Sequence, residues 1–541
     1  GSGATVSGSG VTVENGNITI TSAGSYIISG TLTDGSIKVN CSEKGTVRLI
    51  LNGASISSSS TAPVVVEEAK KVLVTLADGT TNTITDSSRL STEEDYSAAI
   101  YSKEDLIING NGTLNVNAGY RNGIKSTDDC IIVSGTLNIT STEDGIIGKD
   151  LCGVVAGDIN INAGSDGIKS TYDTDTTKGN VIIEGGNITI KASNDGIQAE
   201  NILVINDGTI NIKTNNGAAD TTQTHTDNMY MDRGGFGFNN NKTTTTTDDT
   251  VESRKGIKAG NMLIINDGDI TIDSDDDSVH CNSEIYIYGG TINAATGDDG
   301  VHADDLLTVN GGTINITQCY EGIEADDIVI NDGDISVVSS DDGINSSDGS
   351  ITINGGNLLI NASGDGLDAN GSIIINGGYI VVLGPTSDGD TAIDYDDSCT
   401  INGGTVMAFG SSGMLEIPKG ASNGACIVTA FTSVSGGSKY TLSDSNGNEI
   451  LSYTPSKAYA AAIVYSDKIT TGNTYNITAG STTLSIEVTS DVTSNVSSGL
   501  GKAGGMNMPG NGGSGMPNNG SSDNGMNGNS NGSMPDMSGD G

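Results

Sequence analysis

The stretch GVHADDLLTVNGGTINITQCYE, residues 300–321, runs directly into GIEADDIVINDGDISVVSSDD, residues 322–342. Each unit opens on glycine after an acidic residue, continues through alanine into an apolar run, turns at Asn-Gly or Asn-Asp-Gly, and ends in a second apolar run. Working outward, the opening glycine recurs at Gly123, Gly145, Gly167, Gly196, Gly256, Gly300, Gly322, Gly343 and Gly366, with Ser278 and Ala392 in the same place. Spacings of 22 (123 to 145 to 167, and 256 to 278 to 300 to 322), then 21 and 23, are the signature of a stacked structural repeat. A second ladder runs through Asn206, Asn266, Asn310, Asn331, Asn354, Asn376 and Asn402, each followed two residues later by glycine. Such a turn needs a positive φ, which glycine adopts without steric cost.

Asn-Gly between apolar runs is ordinarily a hairpin signal. A meander, however, does not repeat one residue type at a fixed place every 22 residues. A coil that hydrogen-bonds in register to the next does, and like residues then stack at about 4.8 Å. The expected fold is therefore all-β, a right-handed parallel β-helix with coils of about 22 residues and a C-terminal β cap. Ile124, Ile146, Ile168, Ile197, Ile257, Val279, Val301, Ile323, Ile344, Leu367 and Ile393 become its inward apolar ladder.

The repeat divides the chain. Residues 1–98 are β-rich but less regular and suit first coils with an N-terminal cap; residues 99–410 are the β-helix, interrupted by a polar insertion at 218–255. Residues 411–490 keep strand patterns without the repeat, as a cap or small β domain. Residues 491–541 are dominated by Gly, Asn, Ser and Met, a composition that cannot bury a core.

Composition sets the class of partner. Asp and Glu number 67 against 24 Lys and Arg, a formal charge of −43, which excludes nucleic-acid binding through a basic surface. No apolar run approaches a membrane span, and the start at Gly1-Ser2-Gly3 reads as a processed or cloned mature form. The seven cysteines form no CxxC pair. Cys130 and Cys152, 22 apart, fall on neighbouring coils, where a disulfide fits but stacked buried thiols are the plainer reading.

Stacking also converts the sequence into columns. The residue before the turn glycine reads Asn122, Asp144, Asp166, Asp195, Asp277, Asp299, Glu321, Asp342 and Asp365. Two places after it, on a face expected to point outward, the column reads Lys125, Ile147, Lys169, Gln198, Lys258, His280, His302, Glu324, Asn345, Asp368 and Asp394. Carboxylates one coil apart repel by about 3–4 kcal/mol per pair at an effective dielectric near 20, so the column calls for a counter-ion. Ca²⁺ accepts carboxylates in irregular geometry and is the expected ion. Its candidate ligands are Asp276, Asp277, Asp298, Asp299, Asp304, Glu321, Glu324, Asp326, Asp341, Asp342, Asp365 and Asp368. The competing reading is that each Asp merely caps its turn by accepting backbone N–H groups.

Stacked His280 and His302 are candidates for sugar contact or metal ligation, and equally for a structural role. Lys169 and Lys258 would be the bases if the protein were a calcium-dependent polysaccharide lyase, in which a metal acidifies the proton a basic group removes. Neutralising the acidic column is the plainer role for both. In the insertion, Tyr230, Phe236 and Phe238 are placed to stack on sugar rings or to staple the loop to the sheet.

The repeated Asp-Asp-Gly-Ile (Asp341 to Ile344) and Asn-Gly-Gly-x-Ile (Asn310 to Ile314) resemble the clostridial carbohydrate-binding domain proteins. So do the closing strands around Tyr440 and Tyr475 and the Gly/Met/Asn tail. That family is described as calcium-binding parallel β-helices, polysaccharide-lyase-like in fold, that bind cellulose and acidic sugars. The resemblance implies a secreted or cell-surface, Ca²⁺-dependent, non-catalytic binder of cellulose or an acidic plant polysaccharide such as pectin, and it assigns no catalytic residue. A pectate-type lyase and a self-assembling adhesin or filament subunit are the alternatives.

Overall fold

The computed structural model describes residues 4–89, 96–219 and 253–496. Tyr230, Phe236 and Phe238, and the tail from residue 497, lie outside them. Among the described residues there is no helix, and hence none long and apolar enough to cross a membrane. The chain is a parallel β-solenoid of about 16 turns with coils of about 23 residues.

One coil shows how the sequence makes the fold. Ile146–Gly148, Leu151–Val154 and Asp158–Ala163 are its three strands, and in the last the burial alternates strictly, with Ile159, Ile161 and Ala163 inward. Each strand pairs in parallel with its counterpart one coil on: Ile146 with Ile168, Cys152 with Val181, Ile159 with Ile188. The expected ladder is continuous, passing from Ile124 to Ile146 and from Val279 through Val301 and Ile323 to Ile344. Ile197 pairs with Ile257, 60 positions on, so the insertion leaves the register intact. Burying a side chain of this size contributes about 1.5–3 kcal/mol, and the ladder repeats that contribution coil after coil.

The parallel stack reaches back to Asn17–Ile20, over which Val11–Glu14 folds antiparallel. At the other end Tyr459–Ser466 runs antiparallel to both Thr405–Gly410 and Ala425–Val434. A four-stranded antiparallel sheet follows, of Tyr440–Asp444, Glu449–Tyr453, Thr474–Ala479 and Thr482–Glu487. Its core packs Tyr440, Tyr459 and Ile477 against Val381, Met407 and Phe409 on the outer face of the last coils.

The corners differ in what they ask of glycine. Between second and third strands, Gly208 has φ 125° and sits two residues after Asn206, and Gly268, Gly312 and Gly333 repeat the conformation. Between the third strand and the next first strand φ is ordinary, but a Cβ on Gly145 would lie 2.5 Å from the Gly167 carbonyl oxygen. There the requirement is close approach of coils. All seven cysteines are free and buried; Cys130 lies in register with Cys152, and burial raises the thiols of both above their ordinary value.

Candidate functional site

The acidic column lies along the corner between third and first strands, and its aspartates perform a task that runs between coils. Asn122 Oδ1 accepts the Asp144 N–H at 3.0 Å, and Asp144 Oδ1 accepts that of Asp166 at 3.1 Å. Asp166 does the same for Asp195, Asp195 for Lys255, Asp277 for Asp299, Asp299 for Glu321 and Asp342 for Asp365. Each of these aspartates thus commits one carboxylate oxygen to the backbone of the next coil. The other is left to face a cation, so capping and ion binding are compatible on one side chain.

The column two places beyond the glycine does not point freely into solvent as expected. It is partly buried and turned toward the first column, with Lys169 Nζ 2.7 Å from Asp166 Oδ2 and Asn345 Nδ2 donating to Glu321 Oε2 at 2.8 Å. Burial opposes the charge on Lys169, but Asp166 holds its ammonium above the ordinary value, the wrong direction for a general base. Lys258 donates to Ser253 Oγ at 3.3 Å.

Lys255 escaped the sequence reading. It occupies the acidic column one coil before Asp277, with Nζ 2.5 Å from Asp277 Oδ2 and 2.9 Å from Asp276 Oδ1. Burial works against the Asp277 carboxylate, yet Lys255 holds it well below the usual range. Burial likewise opposes the charge on His302, but Asp277 and Asp299 push it up to about 11.

Beyond His302 neither column carries a basic residue. Burial, then Glu324 and Asp299, push the Glu321 carboxyl up to about 9. Burial and Asp368 take Asp342 to about 7, while burial and Asp342, against the Thr391 N–H, take Asp365 to about 8. Oxygens of Asp342, Asp365 and Asp368 lie within 4.8 Å of one another, close enough to share a metal ion. The same spacing groups Asp276 with Asp277 and Asp298, and Asp299 with His302 and Glu324.

Four expected ligands fall outside these groups: Glu321, whose Oε2 accepts from Asn345, and Asp326, Asp304 and Asp341. Asp326 lies past the next bend, between first and second strands, where its Oδ1 accepts Ser347 Oγ at 3.1 Å. Asp304 is exposed at the same bend, with Oδ1 3.6 Å from His302 Nε2. Asp341 acts on Asp342 as a neighbouring charge. A cluster not anticipated, Asp105, Asp128 and Asp129, also occupies the first-to-second bend, and beside it burial and Asp105 push Asp128 up to about 6. The 22-residue interval from Asp128 to Asp150 was the available signal.

At the corner between second and third strands a polar groove of about 550 Å³ crosses the coils from Asn111 to Asp269, lined by Asp158, Asn187, Asp207, Thr209 and Asp267 among others and, among the described residues, by no basic side chain. Tyr288, half exposed, takes the place Asn266 and Asn310 hold one coil either side.

These features define a class, the parallel β-solenoid with stacked polar corners. Within it, the chain belongs to the carbohydrate-binding domain family, whose model, described as "Carbohydrate-binding domain-containing protein", matches residues 14–300 and 298–531. A protein of that description from Acetivibrio thermocellus is 38% identical over 124 residues, 22% of this chain and 43% of the relative, so the match spans less than half of the relative's length. A solved structure titled as the polysaccharide lyase-like protein from C. thermocellum, gadolinium derivative, is 34% identical, covering 39% of this chain and 86% of its own, with a TM-score of 0.38.

Proposed function

We propose that this chain is a secreted, calcium-binding, non-catalytic binder of polysaccharide, cellulose or an acidic plant polymer such as pectin. The observation that carries the calcium reading is the Asp342, Asp365 and Asp368 group. Its carboxylates come from two coils, and burial with mutual repulsion raises Asp342 and Asp365. An oxygen-only donor set suits Ca²⁺, which takes about 6–8 oxygens. Bound there, the ion would neutralise the corner and offer remaining positions to a uronate carboxylate or sugar hydroxyls. Membership of the carbohydrate-binding domain family supports the polymer as ligand. The groove at the other corner supports room for a glycan chain, with amides, hydroxyls and carboxylates to meet its hydroxyls, and Tyr288, exposed one coil beyond the groove, can stack on a ring.

Titration calorimetry with oligogalacturonate and with cello-oligosaccharide, each in Ca²⁺ and in EGTA, tests the reading. Binding of at least one polymer that weakens in EGTA is the expected outcome; no binding of either would refute it. Absorbance of unsaturated uronide in the same mixtures should stay flat, and sustained Ca²⁺-dependent turnover would replace the binder with a lyase.

A further inference from the structure

Three coils before Asp365, roughly 14 Å at about 4.8 Å per coil, the same corner changes its donor chemistry from oxygen to nitrogen. His280 and His302 lie in register on successive coils, their rings edge to face with centroids 4.9 Å apart. Both Nδ1 atoms converge on Asp277 Oδ2, at 2.9 Å for His280 and 3.7 Å for His302. His302 Nδ1 also stands 3.4 Å from Asp299 Oδ2 and 3.6 Å from Glu324 Oε2. Donors about 2.0–2.1 Å from one tetrahedral ion lie roughly 3.3 Å apart, which is the middle of this range.

A second observation concerns His280 alone. It is 8% exposed, and its Nδ1 is buried without a hydrogen-bond partner, although Asp277 Oδ2 is so near. Its other nitrogen, Nε2, is 2.9 Å from Asn282 Oδ1, an amide oxygen that can only accept. With the proton on Nε2, Nδ1 presents a lone pair to a carboxylate, an arrangement that a cation between them resolves. Metal-ligating histidines are commonly fixed this way by an acceptor on the far nitrogen, and Asp304 faces Nε2 of His302 in the corresponding position. Lys255 holds Asp276 and Asp277 from the other side, and four carboxylates, Asp276, Asp277, Asp299 and Glu324, outnumber the charges of Lys255 and a protonated His302 together.

We infer that His280, His302 and Asp277, completed by Asp299 or Glu324, form a separate site for a borderline divalent transition metal of the Zn²⁺ or Co²⁺ kind. Imidazole suits these ions, whereas Ca²⁺ selects oxygen. The site stands independently of the calcium reading and would survive its failure.

The test uses the full chain, stripped with EDTA and titrated with Co²⁺ alone. The substitutions come from the column itself, where coils already tolerate them: His280→Gln, as at Gln198, and His302→Asn, as at Asn345. One equivalent of Co²⁺ should bind with the intense visible bands of four- or five-coordination. Either substitution should weaken binding at least about tenfold, and Asn282→Ala, which removes only the orienting acceptor, by about 10–100-fold. The double variant Asp365→Asn with Asp368→Asn should bind Co²⁺ as the parent does while losing its response to Ca²⁺. A spectrum that stays that of the six-coordinate aqua ion would overturn the inference. So would unchanged affinity in both histidine variants, displacement of Co²⁺ by an equal concentration of Ca²⁺, or loss of Co²⁺ in the aspartate variant.

Discussion

The corner at Asp277 and the corner at Asp365 have the same backbone, the same committed oxygen and the same buried carboxylate, yet opposite electrostatics. At Asp277 the chain supplies its own cation: Lys255 lies 2.5 Å from the free oxygen and the carboxyl stays ionised. At Asp365 the neighbours that bear on the carboxyl are Asp342, Asp368 and Asp394, and it is pushed up to about 8. The difference teaches that the acidic column is not by itself a metal site. The stack needs aspartate for its hydrogen bond, and whether an ion is then called for depends on which residue stands two places past the glycine, or one coil back.

The sharpest way to break the contrast is Lys255→Met, which leaves Asp277 buried without its ammonium partner. Loss of one partner of a buried pair costs about 3–5 kcal/mol, and urea unfolding should show a loss of that size that calcium does not restore. If stability is unchanged, the two corners are electrostatically equivalent and the comparison fails.

Calcium should act on the late corner. At 100 times its dissociation constant a ligand bound only by the folded state stabilises by about 2.7 kcal/mol. Thermal melts in Ca²⁺ and EGTA should differ accordingly, and Asp365→Asn with Asp368→Asn should remove the difference.

Titration sharpens the same point. Asp365 is raised from 3.8 to about 8 and Glu321 from 4.5 to about 9, so each favours the folded state while protonated. That contribution is complete below the unfolded values, near pH 4, and is lost as pH rises through about 8 to 9. Metal-free protein should therefore lose stability from pH 5 to pH 9, and saturating Ca²⁺ should flatten the slope. A metal-free profile that rises over this interval would contradict the raised carboxyls.

The smallest effect belongs away from the corner. Asn354 accepts from Asn376 at 2.9 Å and donates to Asn331 at 2.8 Å on the exposed asparagine ladder. Asn354→Ala should cost about 1 kcal/mol, equally with and without calcium.

The fold was open to sequence reading because the period is short and its residues are chemically distinct. Ile124, Ile146 and Ile168 could be placed above one another by counting, and so could the glycines after Asn206 and Asn266. The corner was only half legible. Lys255 stands directly before Gly256, a glycine already in the ladder, but the column was read for acids alone and its one basic residue was passed over. Asp326 and Asp304 were assigned by nearness in sequence, but a solenoid bends between the turn glycine and these residues and carries them off the corner. That an aspartate oxygen would be taken by the next coil's N–H is a matter of atomic geometry, beyond any count of residues. Asp105, Asp128 and Asp129 were missed because only the glycine corner was searched for acids.

Stacking has one last consequence. Read along the solenoid, this corner presents Lys125, Lys169 and Lys258, then His280 and His302, then Glu324, Asp368 and Asp394. The protein surface accordingly has a sense of direction, ammonium toward one end and carboxylate toward the other. A glycan is directional too, with a reducing and a non-reducing terminus, so its two orientations on this surface differ in energy. On the proposed reading, a polymer bound along this corner is told forward from backward.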